Sequence, residues 1–183
     1  MNLLATTSTF AISCYALLSA VYKSAQAIYA MKGDDPALPD DVPVAGALPS
    51  VDIIVPCFNE DPQTLSACLE AIARQSYLGK LQVFVVDDGS SNRDAVRPVY
   101  DAYARDPRFH IILERKNVGK RKAQITAIRR SRGDLVLNVD SDTMIAADVV
   151  TKLALKMRDP AIGAAMGQLT ASNRDDSWLT RLI

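Results

Sequence analysis

A chain of 183 residues can bury one good core, or one domain with an appendage. Its 21 basic side chains balance its 21 acidic ones, so no global charge argues for a nucleic-acid partner. One histidine, His110, argues against a histidine-built zinc site or a Ser-His-Asp triad, and three scattered cysteines, Cys14, Cys57 and Cys68, argue against a metal motif or disulfide framework and favour a reducing compartment.

The first element stands apart. No side chain in residues 1–22 is charged, and residues 10–22 are largely apolar. That length approaches what a bilayer requires, and Tyr22 with Lys23 resembles an interfacial anchor. Lys23 and Lys32 follow the stretch while no Lys or Arg precedes it, which predicts a membrane anchor over residues 1–32 with the bulk of the chain on the cytoplasmic side. Two alternatives stay open. Ala25-Gln26-Ala27 offers a leader cleavage site, although no basic segment precedes the apolar run. The Thr and Ser residues also suit a helix packed on a soluble core. Residues 33–49, with Pro36, Pro39, Pro43, Pro49 and several Asp, read as a polar linker.

From residue 50 strands and helices alternate. A strand over 51–55 stops at Pro56, and Asp61 with Pro62 caps a helix whose apolar face carries Leu65, Leu69 and Ile72. Residues 81–86 form the next strand, followed by a helix bearing Val96, Val99, Tyr100 and Tyr103. A third strand covers 109–113, and a helix runs over about 119–130. A short apolar run over 135–139 reads as a buried strand, a helix with Val149, Val150, Leu153 and Met157 follows, and 161–169 reads as a further strand of small residues. Such alternation predicts βαβ units, a mostly parallel sheet and helices on both faces. Residues 178–183 read as the opening turns of an amphipathic helix with no C-cap after it, so a fragment is expected.

Chemistry gathers at the strand ends. After the first strand come Phe58, able to stack on a nucleobase, and Asn59 and Glu60, able to bond ribose hydroxyls; the same residues also suit a plain helix-capping turn. After the second come Asp87, Asp88 and Gly89. A carboxylate there can accept a uracil N–H, and strand alternation aims only one of the two Asp that way; an ordinary Asp-Gly turn is the other reading. Eight cations and no acid lie between Arg115 and Arg132, and Lys120 sits where a helix N-terminus attracts phosphate. The segment is no Walker A loop, since Glu114 replaces the first Gly and no Ser or Thr follows the Lys; Arg129, Arg130 and Arg132 read as a solvated face. After the fourth strand, Asp140-Ser141-Asp142 presents two carboxylates suited to Mg²⁺ or Mn²⁺ holding a diphosphate. In an open α/β sheet these four segments share one edge.

Together these segments, with Met166-Gly167-Gln168 beyond them, resemble the processive family-2 glycosyltransferases, the chitin, hyaluronan and cellulose synthases, and within them the chitin-oligosaccharide synthases of nodulation. The resemblance implies a GT-A nucleotide-binding fold over 50–183 on the cytoplasmic face of the inner membrane. It implies transfer of N-acetylglucosamine (GlcNAc) from UDP-GlcNAc, by inverting displacement, to a β-1,4-linked chitin oligosaccharide, the backbone of nodulation signals. Carried over by position, Phe58 and Glu60 lie at the uridine, Asp87 or Asp88 meets the uracil, Lys120 touches the diphosphate, and Asp140 and Asp142 hold ribose or metal-diphosphate. Residues 167–173 border the acceptor. The family's acceptor-side base and Gln-x-x-Arg-Trp motif have no counterpart here, so the base is expected beyond Ile183 and the chain alone to bind donor without transferring it.

Overall fold

The computed structural model describes residues 3–31 and 48–168, in two compact units that divide at Val42 and Pro43. In the first unit α1 (Leu3–Met31) is a single helix of 29 residues. Its apolar side chains lie around the whole circumference, and nine large ones from Phe10 to Tyr29 are between 58% and 83% exposed. Length therefore exceeds the roughly 20 residues a span needs. Apolarity does not: among the described residues no helix is long and apolar enough to cross a membrane. Thr6, Thr7, Ser8, Thr9, Ser13, Ser19 and Ser24 dilute the run that the sequence suggested as a span. The predicted linker over 33–49 falls mostly, and the amphipathic segment over 178–183 wholly, outside the described residues.

The second unit is a four-stranded, wholly parallel sheet in the order β3-β2-β1-β4. Its elements in chain order are β1 (Val51–Cys57), α2 (Pro62–Ala73), β2 (Leu81–Asp87), α3 (Arg93–Tyr103), β3 (Phe109–Leu113), α4 (Lys120–Ile128), β4 (Leu135–Asn138) and α5 (Val149–Lys156). Period-two alternation sorts the core into two layers. Ile53, Val55, Val83 and Val85 pack with Leu65, Leu69 and Ile72 of α2, Val96 and Tyr100 of α3, and Val150 of α5. Ile54, Phe84, Val86 and Ile112 pack with Ala123 and Ala127 of α4 on the opposite face. Two alanines let α4 lie close to the sheet.

Three expectations change. Pro56 does not end β1, which runs on to Cys57. Ile54 bonds toward β4, accepting from the Val139 N–H at 3.0 Å, so the missing Pro56 N–H points the same way, past the last residue of β4, and no ladder bond is lost. β4 is only alternately half-buried, with Val136 43% exposed, because among the described residues it pairs with β1 alone. Residues 161–168 form turns and irregular backbone rather than a strand. Alanines and glycines there offer little side chain to pack against a neighbour.

Asp61 and Pro62 open α2 as expected, the Asp61 carboxylate accepting the Thr64 N–H at 2.9 Å. The sheet order reverses between β1, which continues to β2 and β3, and β4 on its other side. At such a switch point the loops at the carboxyl ends diverge and leave a crevice.

Candidate functional site

The crevice is present as a cleft of about 250 Å³ lined by Pro56, Cys57, Phe58, Glu60, Asp88, Asn117, Lys120, Asp140, Ser141 and Asp142. All four chemical segments reach it. Phe58 stands 45% exposed at the mouth, free to stack on a planar ligand. The Ser141 hydroxyl, buried between two exposed aspartates, donates to Glu60 Oε1 at 2.7 Å and so ties the β1 loop to the β4 loop. Asp140 and Asp142 are exposed while Ser141 is buried, in a turn just past β4 that the Thr143 N–H closes on the Asp140 carbonyl at 2.9 Å. Lys120 Nζ lies 2.8 Å from Asp140 Oδ1, an exposed ion pair across the cleft.

The two aspartates of the β2 turn have separate destinations. Asp87 is fully buried and does not line the cleft. It pairs with Arg93 of α3, accepts from the Tyr100 hydroxyl at 2.8 Å, and accepts from the Ser90 N–H at 2.9 Å. Burial pushes its carboxyl up, but the Arg93, Ser90 and Tyr100 bonds together outweigh that and hold it below the ordinary carboxylate value. Of the two residues proposed to meet the base, Asp87 is thus spent on the interior. Asp88 reaches the cleft, with its oxygens on the Val118 and Gly119 N–H groups, each at 2.8 Å.

Asn59 also departs from its expected ribose contact. It sits at φ +53, and its Oδ1 accepts from the Ser91 N–H at 2.8 Å and the Ser91 hydroxyl at 3.0 Å. It is a brace between the β1 and β2 loops. Residues the sequence reading left out include Asn117, on the cleft wall, and Arg93, the partner of Asp87. Only the Asn-Val-Gly-Lys turn hinted at the first; nothing local hinted at the second, which depends on α3 packing beside β2.

Burial pushes the Cys57 and Cys68 thiols up to about 12, so neither stands as a thiolate nucleophile at neutral pH. All three cysteines are free. Among the described residues no group of three or more His, Cys, Asp or Glu is arranged to hold a metal by itself. A larger groove, about 630 Å³, lies at the amino ends of the strands between Lys80, His110, Arg130 and Arg132. None of the paired-carboxylate chemistry reaches it. Its one carboxylate, Asp52, already accepts from the Ser131 hydroxyl and the Arg132 and Gly133 N–H groups at 2.7–2.8 Å.

The model of the family described as glycosyl transferase family 2 matches residues 52–183, the whole span that carries this cleft. The chain belongs to glycosyl transferase family 2. This glycosyltransferase chain is similar to the N-acetylglucosaminyltransferase of Rhizobium sp. (strain N33), 67% identical over all of this chain and 41% of that relative. That of Sinorhizobium fredii (strain NBRC 101917 / NGR234) is 68% identical over all of this chain and 44% of its own length. That of Bradyrhizobium elkanii is 68% identical over 99% of this chain and all of the relative. The chain spans about two fifths of the length of the first two.

Among solved structures, the mannosyltransferase PcManGT from Pyrobaculum calidifontis, in complex with GDP-Man and Mn²⁺, is similar with a TM-score of 0.64 and 25% identity, over 84% of this chain and 44% of that one. S. aureus TarS 1-349 in complex with UDP-GlcNAc shares the fold, with a TM-score of 0.54 at 20% identity, over 66% of this chain and 37% of that one. The parallel α/β sheet of this glycosyltransferase is accordingly of the GT-A kind.

Proposed function

We propose that this chain is the donor-binding part of a metal-dependent N-acetylglucosaminyltransferase. Its donor is UDP-GlcNAc and its acceptor a growing β-1,4 chitin oligosaccharide, the backbone of nodulation signals. The observation that carries the reading is one cleft at the strand-order switch point holding Phe58, Glu60, Lys120, Asp140 and Asp142, in a chain 62–68% identical to rhizobial N-acetylglucosaminyltransferases.

The donor set of the cleft suits a hard divalent cation, Mg²⁺ or Mn²⁺. Asp140 and Asp142, two carboxylates from one loop, would hold such an ion, and among the described residues no group of three or more His, Cys, Asp or Glu is arranged to hold it without the donor. The neighbour that carries Mn²⁺ beside GDP-Man supports the same choice. When bound, the ion supplies positive charge against the departing diphosphate. Asp140 and Asp142 hold it. Phe58 stacks on the uracil, Glu60 is held at the ribose by Ser141, and Lys120 turns from Asp140 to the diphosphate and stabilises the leaving UDP. The acceptor hydroxyl loses its proton to a base outside these residues.

The protein works at the cytoplasmic face of the inner membrane, held there by residues 1–32. The charge-free start and the exposed apolar side chains of α1 support an apolar surrounding for that helix.

Calorimetry of the chain with UDP and UDP-GlcNAc, with and without Mn²⁺, tests the donor site. Metal-dependent binding of both is expected. A chain folded by circular dichroism that binds neither overturns the reading.

A further inference from the structure

We infer that Gln75 is a positioning residue for the cation site: it fixes the far end of the loop that carries Asp140 and Asp142, and so sets where the two carboxylates stand. The inference rests on the donor-site reading above and concerns how its metal loop is held.

Gln75 lies just past the end of α2, is 8% exposed, and does not line the cleft. Its Nε2 donates to the Ala146 carbonyl at 2.8 Å and to the Ala71 carbonyl at 3.1 Å, while its Oε1 accepts from the Val150 N–H at 3.2 Å. Both amide protons are therefore spent on backbone. The Val150 bond answers a need of α5. The first N–H groups of a helix lack partners within it, and Asp148 at the start of α5 makes no side-chain cap bond. Gln75 supplies an acceptor from the end of another helix. One side chain thus fixes the last turn of the metal loop and the first turn of α5, and its bond to Ala71 ties both to α2.

Ser76 repeats the grip one residue on. Its N–H and its hydroxyl both donate to the Ala147 carbonyl, at 2.8 and 3.0 Å. At the near end, the Cys68 thiol of α2 donates to the Asp140 carbonyl at 3.5 Å, and the Val139 N–H donates to the Ile54 carbonyl at 3.0 Å. Ile145 packs on the core between the two ends. The loop over 139–147 is thus laid along α2 and held at both ends, with Asp142 exposed between them. A loop held at one end alone can swing, whereas a cation site needs its carboxylates placed to about 0.5 Å. The Ser141 bond to Glu60 secures the cleft side of the loop, and Gln75 secures the side away from it.

Positioning separates from ordinary stability by its metal dependence, because uridine has no diphosphate for a cation to hold. Uridine, and UDP with and without Mn²⁺, are titrated by calorimetry into the full chain and into Gln75→Met, Ser76→Ala and Thr151→Val. Circular dichroism and thermal melts establish that each is folded at the titration temperature. Methionine keeps the bulk of glutamine and removes all three bonds. The expected result in Gln75→Met is a roughly fivefold smaller gain in UDP affinity from Mn²⁺, about the worth of one hydrogen bond, with uridine affinity within about twofold of wild type. Ser76→Ala loses the hydroxyl bond and keeps the N–H bond, so it shows a smaller loss of the same kind and serves if Gln75→Met does not fold. Thr151→Val is the control. It removes the Thr151 hydroxyl bond to the Ser76 carbonyl at 3.1 Å, which joins α5 to α2 without touching the loop, so the melting temperature falls and the Mn²⁺ gain stays. Added to Asp142→Ala, Gln75→Met costs no further UDP affinity, since it acts through a carboxylate already removed. An unchanged Mn²⁺ gain in the two loop variants, equal losses for uridine and UDP, the same fall in Thr151→Val, or an additive loss on Asp142→Ala overturns the inference and leaves Gln75 a cap of α5 alone. A folded wild-type chain that binds UDP no better with Mn²⁺ than without it defeats the metal reading itself, and the inference with it.

Discussion

Asp140 and Asp142 carry the cation in the proposed site, and neither has a buried structural duty. Asp142→Ala is therefore expected to abolish Mn²⁺-dependent UDP binding while leaving the melting temperature unchanged; calorimetry and a thermal melt check the two halves together. Ser141 works differently. Its hydroxyl orients Glu60, and Ser141→Ala removes one neutral-to-charged bond, so UDP affinity should fall about fivefold, equivalent to ~1 kcal/mol. The Asp-Ser-Asp triplet was legible because two carboxylates one residue apart follow an apolar strand run, whereas the inward Ser141 belongs to the turn after β4 and not to strand alternation. At Asp87-Asp88 strand alternation declared that one carboxylate faces away, but Arg93 and Tyr100, brought in by α3, decided that it is Asp87. Asn59 misled for a related reason. Its side chain has the chemistry to bond a ribose, and only the nearness of the Ser90-Ser91 turn shows that it bonds protein instead.

The β2–α3 junction is the element on which acid sensitivity depends. Asp87 is buried with Arg93 and lies below its ordinary pKa, so its contribution is fully present above the unfolded value near 3.9 and is lost as pH falls through the lower folded value. Asp106 beside Arg108, Asp134 beside Ser50, and Asp61 at the Thr64 N–H are lowered too and add to the same acid-side loss. Asp87 is the buried member. Asp87→Asn should thus cost stability at neutral pH and flatten the fall in stability below about pH 4, which urea melts at pH 7 and pH 3.5, values chosen around that window, would read. Arg93→Ala strands the buried carboxylate and should cost about 3 kcal/mol at neutral pH. Gly89→Ala meets both a positive φ and backbone at 2.3 Å, so the turn must move and the 116–119 loop with it. That variant should lose UDP binding before it loses secondary structure, as calorimetry and far-UV circular dichroism would show.

Across the whole molecule, the arrangement of strands converts four separate local motifs into one cleft. The order β3-β2-β1-β4 sets β1 and β4 side by side, so Phe58 and Glu60 stand opposite Asp140 and Asp142, with Lys120 reaching between them. The membrane proposal belongs to this scale as well. The chain expressed in a bacterial cell should resist carbonate extraction from membranes, while a version lacking residues 1–32 is released; ready release of both would defeat the anchor. The sequence by itself determined the alternating elements, the capped start of α2, the polar residues at the strand ends and the family, because apolar periodicity, caps and contiguous motifs are local and survive without neighbours. Only the tertiary structure decided the strand order, the run of β1 through Pro56, the inward turn of Asp87, and the exposure of β4. Each of those depends on residues distant in sequence competing for the same face of a sheet, and no local pattern encodes which of them wins.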